Sequence, residues 1–499
     1  MKNRQLSVIA IYTFLLLLFL TSCQNRSKVV NDGTDPEIPD DYSSITGIEN
    51  YRKWGTYNVH DPSCIKADDG FYYLYSTDAI WFKRGVSHHS DTIRTGNIQV
   101  RRSPDLVHWD FIGWALDSIP SDVVAHIEKA SGGQKPGGIW APNIRKYRDE
   151  YRLYYCASVF GANTSAIALA TSGSPLGPWK ERGIVVKTFS QDPVNAIDPS
   201  VIIDPESGKH WMHYGSYFGG LSVVELDPET GLAKNEGSLG KIVARRSEGK
   251  DRIIEAPEII YNPGLKKYFL FVSYEPLFTH YNIRVGRSEH PDGPFYDYFG
   301  KDLAVPENNY PVLTYAYRFR NHPGWAGTGH CAVINDNGRF FLFHQARLAP
   351  DNLMMDLHVR EVFWTEDGWP VVSPERYNTV AERSLDKNDI TGTWEVIRLN
   401  EIFDSTILWQ GQIPPGGWHY DTSLFNNSVS IGFMESGETE GLSGEKWSLE
   451  NQLLTLTDKN GKVMKLILSP GWDWENHRAT ITGTGLTEKG TGIWLKKSE

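Results

Sequence analysis

Cysteine, basic charge and long apolar runs are all scarce in this chain, and each scarcity removes a class of function. Four cysteines occur among 499 residues, and none stands in a Cys-x-x-Cys or Cys/His spacing that would suggest zinc. With Cys23 set aside, Cys64, Cys156 and Cys331 remain. Three cannot pair fully, and each lies beside or within an expected inner strand, so they read as buried small residues rather than a disulfide frame. Lys and Arg number 50 against 61 Asp and Glu, a net charge of −11. The basic stripe that a nucleic-acid partner requires is missing. The apolar run from Leu6 to Leu20 is shorter than the ~20 residues of a membrane span. Lys2 and Arg4 precede it and Leu20-Thr21-Ser22-Cys23 closes it, the layout of a targeting segment. Aromatic residues, by contrast, are plentiful: 17 Trp and 24 Tyr, with aromatics at 12%. Their flat amphipathic rings suit sugar faces, although stacked β-blades are aromatic-rich too.

The cysteine that follows small residues at the N-terminus resembles the lipobox of bacterial lipoproteins. That implies a signal peptide over 1–23 and a lipidated Cys23 as the mature first residue. The protein would then be lipid-anchored in the bacterial cell envelope, at the outer membrane or cell surface; an uncleaved membrane anchor is the alternative. Residues 24–47 follow as a polar, aperiodic tether, expected to be flexible.

From Val59 a single plan repeats. A carboxylate or aromatic and a proline lead into an apolar strand, a Gly/Asp turn and a second aromatic strand. The versions begin at Asp61-Pro62, Trp140-Ala141-Pro142, Asp198-Pro199, Glu255-Ala256-Pro257 and Gly329-His330. Alternating apolar runs joined by such turns are hairpins. Five of them at intervals of roughly 55–80 residues predict a five-bladed β-propeller over 48–383. The polar insertions Trp81 to Thr95 and Ser118 to Gly138 would then be walls of its funnel. Past Leu385 the repeat stops. Short alternating strands from Ile390 to Leu495 predict a second all-β domain over 384–499, a small barrel or sandwich. No acid pair or metal cluster stands out in it, so it should bind sugar or brace the propeller without cleaving bonds.

In a propeller the first strand of every blade faces one axis. Asp61, Asp198 and Glu255 occupy that strand in three blades, and are expected to meet in register although the chain separates them. Two carboxyls of different pKa can supply the acid and the base of glycoside hydrolysis. A single Asp-Pro would only cap a turn; three buried acids at one axis are costly unless used or paired.

With His60-Asp61-Pro62-Ser63, Ile139-Trp140-Ala141-Pro142, Asn195-Ala196-Ile197-Asp198-Pro199, Ile254-Glu255-Ala256-Pro257, Gly329-His330 and the run His358 to Val372, the chain resembles family 43 of the glycoside hydrolases. Within it, the endo-α-1,5-L-arabinanases are most similar. The resemblance implies Asp61 as general base, Glu255 as general acid and Asp198 as the group that tunes and orients Glu255. It also implies an inverting, endo-acting attack on arabinan and arabino-oligosaccharides. Trp140, Ser216, Tyr217 and Phe218 are expected at the substrate, the aromatic ones by stacking, and Asn195 by a hydrogen bond unless it merely caps its turn. His330 matches a histidine that ligates calcium, with water completing the shell, although calcium prefers oxygen. Glu258, three residues after Glu255, should point to the other side of its strand. The chain is expected to act as a monomer. Two alternatives stay open: an exo-acting arabinofuranosidase or β-xylosidase on the same fold, and a lipid-anchored, non-catalytic glycan-binding propeller.

Overall fold

A computed structural model describes residues 35–78, 96–246, 253–350, 354–401, 421–441 and 446–498. The targeting segment with Cys23, the first part of the tether and the insertion Trp81 to Thr95 lie outside these residues.

The molecule is all-β, a propeller followed by a barrel-like C-terminal domain. Three four-stranded antiparallel sheets come first. They are β1 (His60–Lys66) to β4 (Asp110–Leu116), β5 (Ile139–Tyr147) to β8 (Lys180–Lys187), and β9 (Ser200–Ile203) to β12 (Lys241–Ala244). A three-stranded sheet follows, made of β13 (Ile254–Asn262), β14 (Lys267–Tyr274) and β15 (Asn282–Ser288). The fifth repeat departs from the expected separate blade. Its strands β18 (Cys331–Asp336), β19 (Arg339–Leu348), β20 (Asp356–Trp364) and β21 (Pro370–Val372) belong to a seven-stranded sheet. This sheet continues from β19 through β17 (Trp325–Ala326) and β16 (Tyr317–Arg318) to β23 (Asn426–Asn427). The hairpin pattern contains no trace of this extension, because these additional strands are only two residues long.

Second and third strands such as β6 (Glu150–Ser158) and β7 (Ser165–Ser172) are buried almost throughout. Both of their faces pack on neighbouring sheets, which is why they read as continuous apolar runs. Tyr73, Tyr75, Leu153 and Tyr155 fill one such interface, and Tyr154, Leu169, Met212 and Val224 the next. Around the axis β1 meets β5, β5 meets β9, β9 meets β13, β13 meets β18, and β18 returns to β1.

The inner strands share a backbone irregularity. Asp61, Ala141, Asp198, Ala256 and His330 all have φ between +41° and +58° (51°, 43°, 57°, 55° and 49°). Four of them precede a proline. The ladder is bulged at this point between His60 and Ser63, Trp140 and Asn143, and Glu255 and Glu258. A left-handed non-glycine residue is strained, by about 1–3 kcal/mol. Its freed N–H is captured by the preceding blade. Ala141 donates to Thr77 Oγ1 (2.8 Å), Ala256 to Asp198 Oδ2 (3.2 Å), His330 to Ser273 Oγ (2.8 Å) and Asp61 to Gln345 Oε1 (3.3 Å).

Three expectations change here. Residues 35–47 are docked rather than a free tether: Asp40 is held by Arg376 and His322, Ile38 packs at Trp472 and Trp474, and Tyr42 joins Trp54 and Tyr57 in a core. Composition conceals this, since three anchoring side chains suffice. The insertion Ser118 to Gly138 contains a helix, Ser121–Ala130, whose Val123 and Ile127 pack between the first two sheets. The C-terminal domain is also less separate than its sequence suggests. Its eight strands run β25 (Thr439–Glu440), β24 (Val429–Phe433), β22 (Gly392–Arg398), β30 (Gly492–Lys497), β29 (Arg478–Leu486), β28 (Val463–Asp473), β27 (Leu453–Thr457) and β26 (Lys446–Glu450), and a bridge between Glu438 and Lys446 joins the two ends into a barrel. Ile397, Leu399 and Trp494 of that barrel share a core with Val333, Leu342 and Val362 of the propeller.

Candidate active site

The left-handed turn that opens each inner strand sets Asp61, Asp198 and His330, with Trp140 and Glu255 one residue earlier, around the axis. Asp61 is the most heavily bonded. Thr77 Oγ1 donates to its Oδ2 (2.7 Å), while His330 Nδ1 (2.8 Å) and His60 Nε2 (3.3 Å) face its Oδ1. Burial pushes the Asp61 carboxyl up, but the charges of His330 and His60 and the two hydrogen bonds hold it well below the usual carboxylate range. Burial works against His330 as well, yet Asp61 and the other two acids raise its pKa to about 9. His60, for which burial dominates, falls to about 4. Asp61 is therefore an ionised carboxylate beside an imidazolium.

Glu255 has the opposite environment. Burial raises its pKa and the charge of Asp61 adds to this, while hydrogen bonds from Ser216 Oγ (2.7 Å to Oε2) and Tyr281 pull it back. Asp198 is raised as well, by burial first, with His330 opposing and Glu255 and Asp61 adding. Burial, rather than the charge of Asp198, is thus the leading cause at Glu255. Asp198 acts on it geometrically, because its Oδ2 holds the N–H of Ala256, the residue that follows Glu255.

The three acids meet, but not in one register. Asp61 and Asp198 stand at the left-handed position with Ala141, Ala256 and His330. Glu255 stands one residue earlier, level with His60 and Trp140. The extra residue before Pro257, compared with Pro62 and Pro199, was the signal. Glu258 faces away from this mouth: Arg145, Ser200 and the N–H of Val333 occupy its carboxylate.

Around the acids the expected contacts divide. Trp140 is half-buried with its ring edge-on to Phe160, centroids 6.4 Å apart, and Phe160 is 45% exposed. Phe160 is a wall that carried no motif. Tyr217 and Phe218 both lie at positive φ (53° and 41°) beside the channel, Phe218 exposed and Tyr217 tied to Ile254 through its N–H. Gly219 permits that turn, since a Cβ there would sit 1.8 Å from the carbonyl of Pro193. Asn195 is buried and its Oδ1 accepts from Ser165 Oγ, so it braces the turn. Ser216 spends its hydroxyl on Glu255. Thr77 and His60 touch Asp61, and Tyr281 faces Glu255; of these only His60 lies within a recognisable motif, the His60-Asp61-Pro62-Ser63 run.

The residues present supply little of a calcium shell. His330 gives Nδ1 to Asp61, and no cluster of three ligating side chains includes it among the described residues. The cluster found, Glu375 with Asp473 and Glu475, encloses the ammonium of Lys496 instead. It also corrects the expectation that the C-terminal domain lacks an acid pair.

Residues 55–370 match the glycosyl hydrolases family 43, and 374–495 match a C-terminal lipocalin-like domain. An extracellular endo-α-(1→5)-L-arabinanase of Thermotoga petrophila is 28% identical over 478 residues, covering 87% of this chain and 93% of the relative. The crystal structure of an endo-1,5-α-L-arabinanase from that organism superposes with a TM-score of 0.73 at 27% identity, over 89% of this chain and 99% of the other. An extracellular exo-α-(1→5)-L-arabinofuranosidase of Cellvibrio japonicus is 28% identical over 348 residues, 66% of this chain and 90% of that one. A Cellvibrio cellulosa α-L-arabinanase complexed with arabinohexaose has a TM-score of 0.53 at 28% identity, over 63% and 95% of the two chains. A family match spanning more than half of the sequence, carried by the strands that bring Asp61, Asp198 and Glu255 together, places this chain in family 43 of the glycosyl hydrolases.

Proposed function

We propose that the protein is an endo-acting, inverting hydrolase of α-1,5-L-arabinan. The observation that carries this reading is the split between two facing carboxyls: His330 and Thr77 bond Asp61 and hold its pKa low, while burial raises that of Glu255. Groups whose environments drive their pKa values apart make an acid and a base. Asp61 takes a proton from water as that water attacks the anomeric carbon. Glu255 gives its proton to the departing glycosidic oxygen, and Asp198 fixes the peptide behind Glu255. Trp140, Tyr217, Phe218 and Phe160 stack on arabinose rings. Endo action is favoured because the relatives that share both domains, from Thermotoga petrophila and Bacillus subtilis, are named endo-arabinanases. The seven-stranded sheet counts as a fifth blade in this reading, since its β18 completes the ring of inner strands. Calcium finds no free nitrogen at His330, whose Nδ1 is committed to Asp61 and whose imidazolium form keeps the other nitrogen protonated, so no step runs through a metal. A lipid on Cys23 agrees with relatives named as extracellular, and the chain would work there as a monomer.

The test is product analysis. Linear arabinan should release a spread of oligosaccharides, with the β-anomer seen first by NMR. Arabinose or a single short product throughout would make the enzyme exo-acting, and the α-anomer first would exclude inversion. Glu255→Gln should abolish arabinan cleavage while sparing an aryl arabino-oligosaccharide, whose leaving group needs little protonation. Asp61→Asn should abolish both, each by on the order of 10²–10⁴-fold.

A further inference from the structure

The glycine of Gly329-His330 has a physical cause. A Cβ there would lie 2.3 Å from Cδ1 of Tyr281, so the glycine admits that ring to the space behind the channel. Tyr281 is buried with its hydroxyl facing the Glu255 carboxyl, whose pKa it holds down. The second donor to that carboxyl, Ser216 Oγ, is fixed by an antiparallel bridge between the backbones of Ser216 and Glu255. Two donors on one buried carboxyl are more than a resting acid requires. A neutral carboxylic acid accepts weakly, whereas hydrogen bonds to a carboxylate are shorter and about twice as strong. Both donors favour the ionised form, against burial, which favours the neutral one.

We propose that Ser216 and Tyr281 are positioning residues that serve the carboxylate Glu255 becomes, rather than the acid it begins as. In the step concerned the O–H bond of Glu255 breaks, its proton bonds to the glycosidic oxygen, and the electron pair of the breaking C–O bond stays on that oxygen. The negative charge left on Glu255 appears where Ser216 and Tyr281 point. Hydrogen bonds that strengthen only as charge develops lower the barrier without tightening substrate binding. The inference rests on Glu255 being the acid. Asp61, Asp198, His330 and Tyr217 also face Glu255 electrostatically, and the variants below leave all four in place.

Tyr281→Phe keeps the ring that fills the space at Gly329, and Ser216→Ala removes only an oxygen. Each should lower kcat on arabino-oligosaccharides by on the order of tenfold to a hundredfold with KM unchanged. On an aryl arabino-oligosaccharide the loss should stay below about threefold. Losing a donor to the ionised form should also move the alkaline limb of kcat/KM upward, by about one pH unit. Ser216→Thr should restore both readouts. Equal losses on the two substrates with the alkaline limb unmoved would make the residues merely structural and overturn the proposal. Glu255→Gln measured beside them separates the two ideas. If it discriminates between leaving groups and Tyr281→Phe does not, only this inference falls; if Glu255→Gln does not discriminate either, the acid assignment falls and takes this inference with it.

Discussion

The molecule buries three carboxylates together in two places, and treats them in opposite ways. At the junction of propeller and barrel, Glu375, Asp473 and Glu475 surround Lys496, whose Nζ lies 2.8 Å from Glu375 and 2.9 Å from Asp473 and also pairs with Glu475. The ammonium sits over the ring of Phe319 at 3.9 Å and is wholly buried. In the channel, no lysine among the described residues pairs with Asp61, Asp198 or Glu255. One imidazolium serves Asp61, and burial leaves the other two with raised pKa values. Buried charge that is neutralised in place is structure. Buried charge left partly uncompensated at a channel mouth is a reservoir for proton transfer. Three acids in proximity do not distinguish the two; the fixed cation does.

The largest effect should come from exchanging what each cluster loses. Asp198→Asn removes a carboxyl whose charge burial disfavours, so activity on arabinan should fall by on the order of 10²–10⁴-fold while the thermal midpoint holds or rises, a trade seen when a strained site is relieved. Calorimetry beside the activity assay reads both. A clear loss of stability would mean that the channel acids are as well compensated as those at the junction, and the contrast would fail.

At the junction the signs reverse. Lys496→Met leaves three buried carboxyls without their cation and should cost about 3–5 kcal/mol, while activity per folded molecule stays near that of the native chain. The pH dependence follows from the direction of the shifts. Glu375 is already raised by burial, and without the ammonium that holds it down Glu475 rises too. Groups whose folded pKa exceeds the unfolded one contribute stability at low pH and lose it as pH rises through the folded value. The gap between variant and native protein, measured by urea unfolding, should therefore narrow toward pH 4 and widen toward pH 8. A gap independent of pH would show that packing against Phe319 matters more than charge.

These clusters also show where the sequence was legible. The hairpins were, because strands packed on both faces must be apolar and their turns must carry Gly, Asp and Asn. The acids of the channel were, because each stands one or two residues before a proline at the start of an inner strand. The one-residue offset of Glu255 was visible in its spacing to Pro257 but needed the bulge to acquire meaning. Tyr281 lies in the connection between β14 and β15 with no pattern around it; only the ring seated against Gly329 reveals it. Lys496, three residues from the C-terminus, reads as a solvated charge. Its burial depends on the barrel closing against blade residues more than a hundred positions away, a distance at which local patterns are silent.

The smallest effect should separate two acids within one strand. Glu258 lies three residues beyond Glu255 on β13, and it is also buried. Its oxygens are fully engaged: Arg145 Nη2 at 3.2 and 3.3 Å, Ser200 Oγ at 2.5 Å and the N–H of Val333 at 3.2 Å. It belongs to a second series in which an inner-strand side chain accepts from the next blade. In the same series Ser63 binds the N–H of Ile144, Asn143 that of Val201, and Ser200 that of Ile259. In Glu258→Gln the amide oxygen can still accept from Val333 and Arg145, and Ser200 can turn to accept from the new NH2 group. What disappears is charge assistance, about 1–2 kcal/mol of stability. Neither Asp61 nor Glu255 loses a hydrogen bond, so kcat on arabinan should stay within about twofold. A hundredfold loss of activity, with the urea midpoint unchanged, would move Glu258 from the junction's kind of acid to the channel's and reopen the choice between it and Glu255.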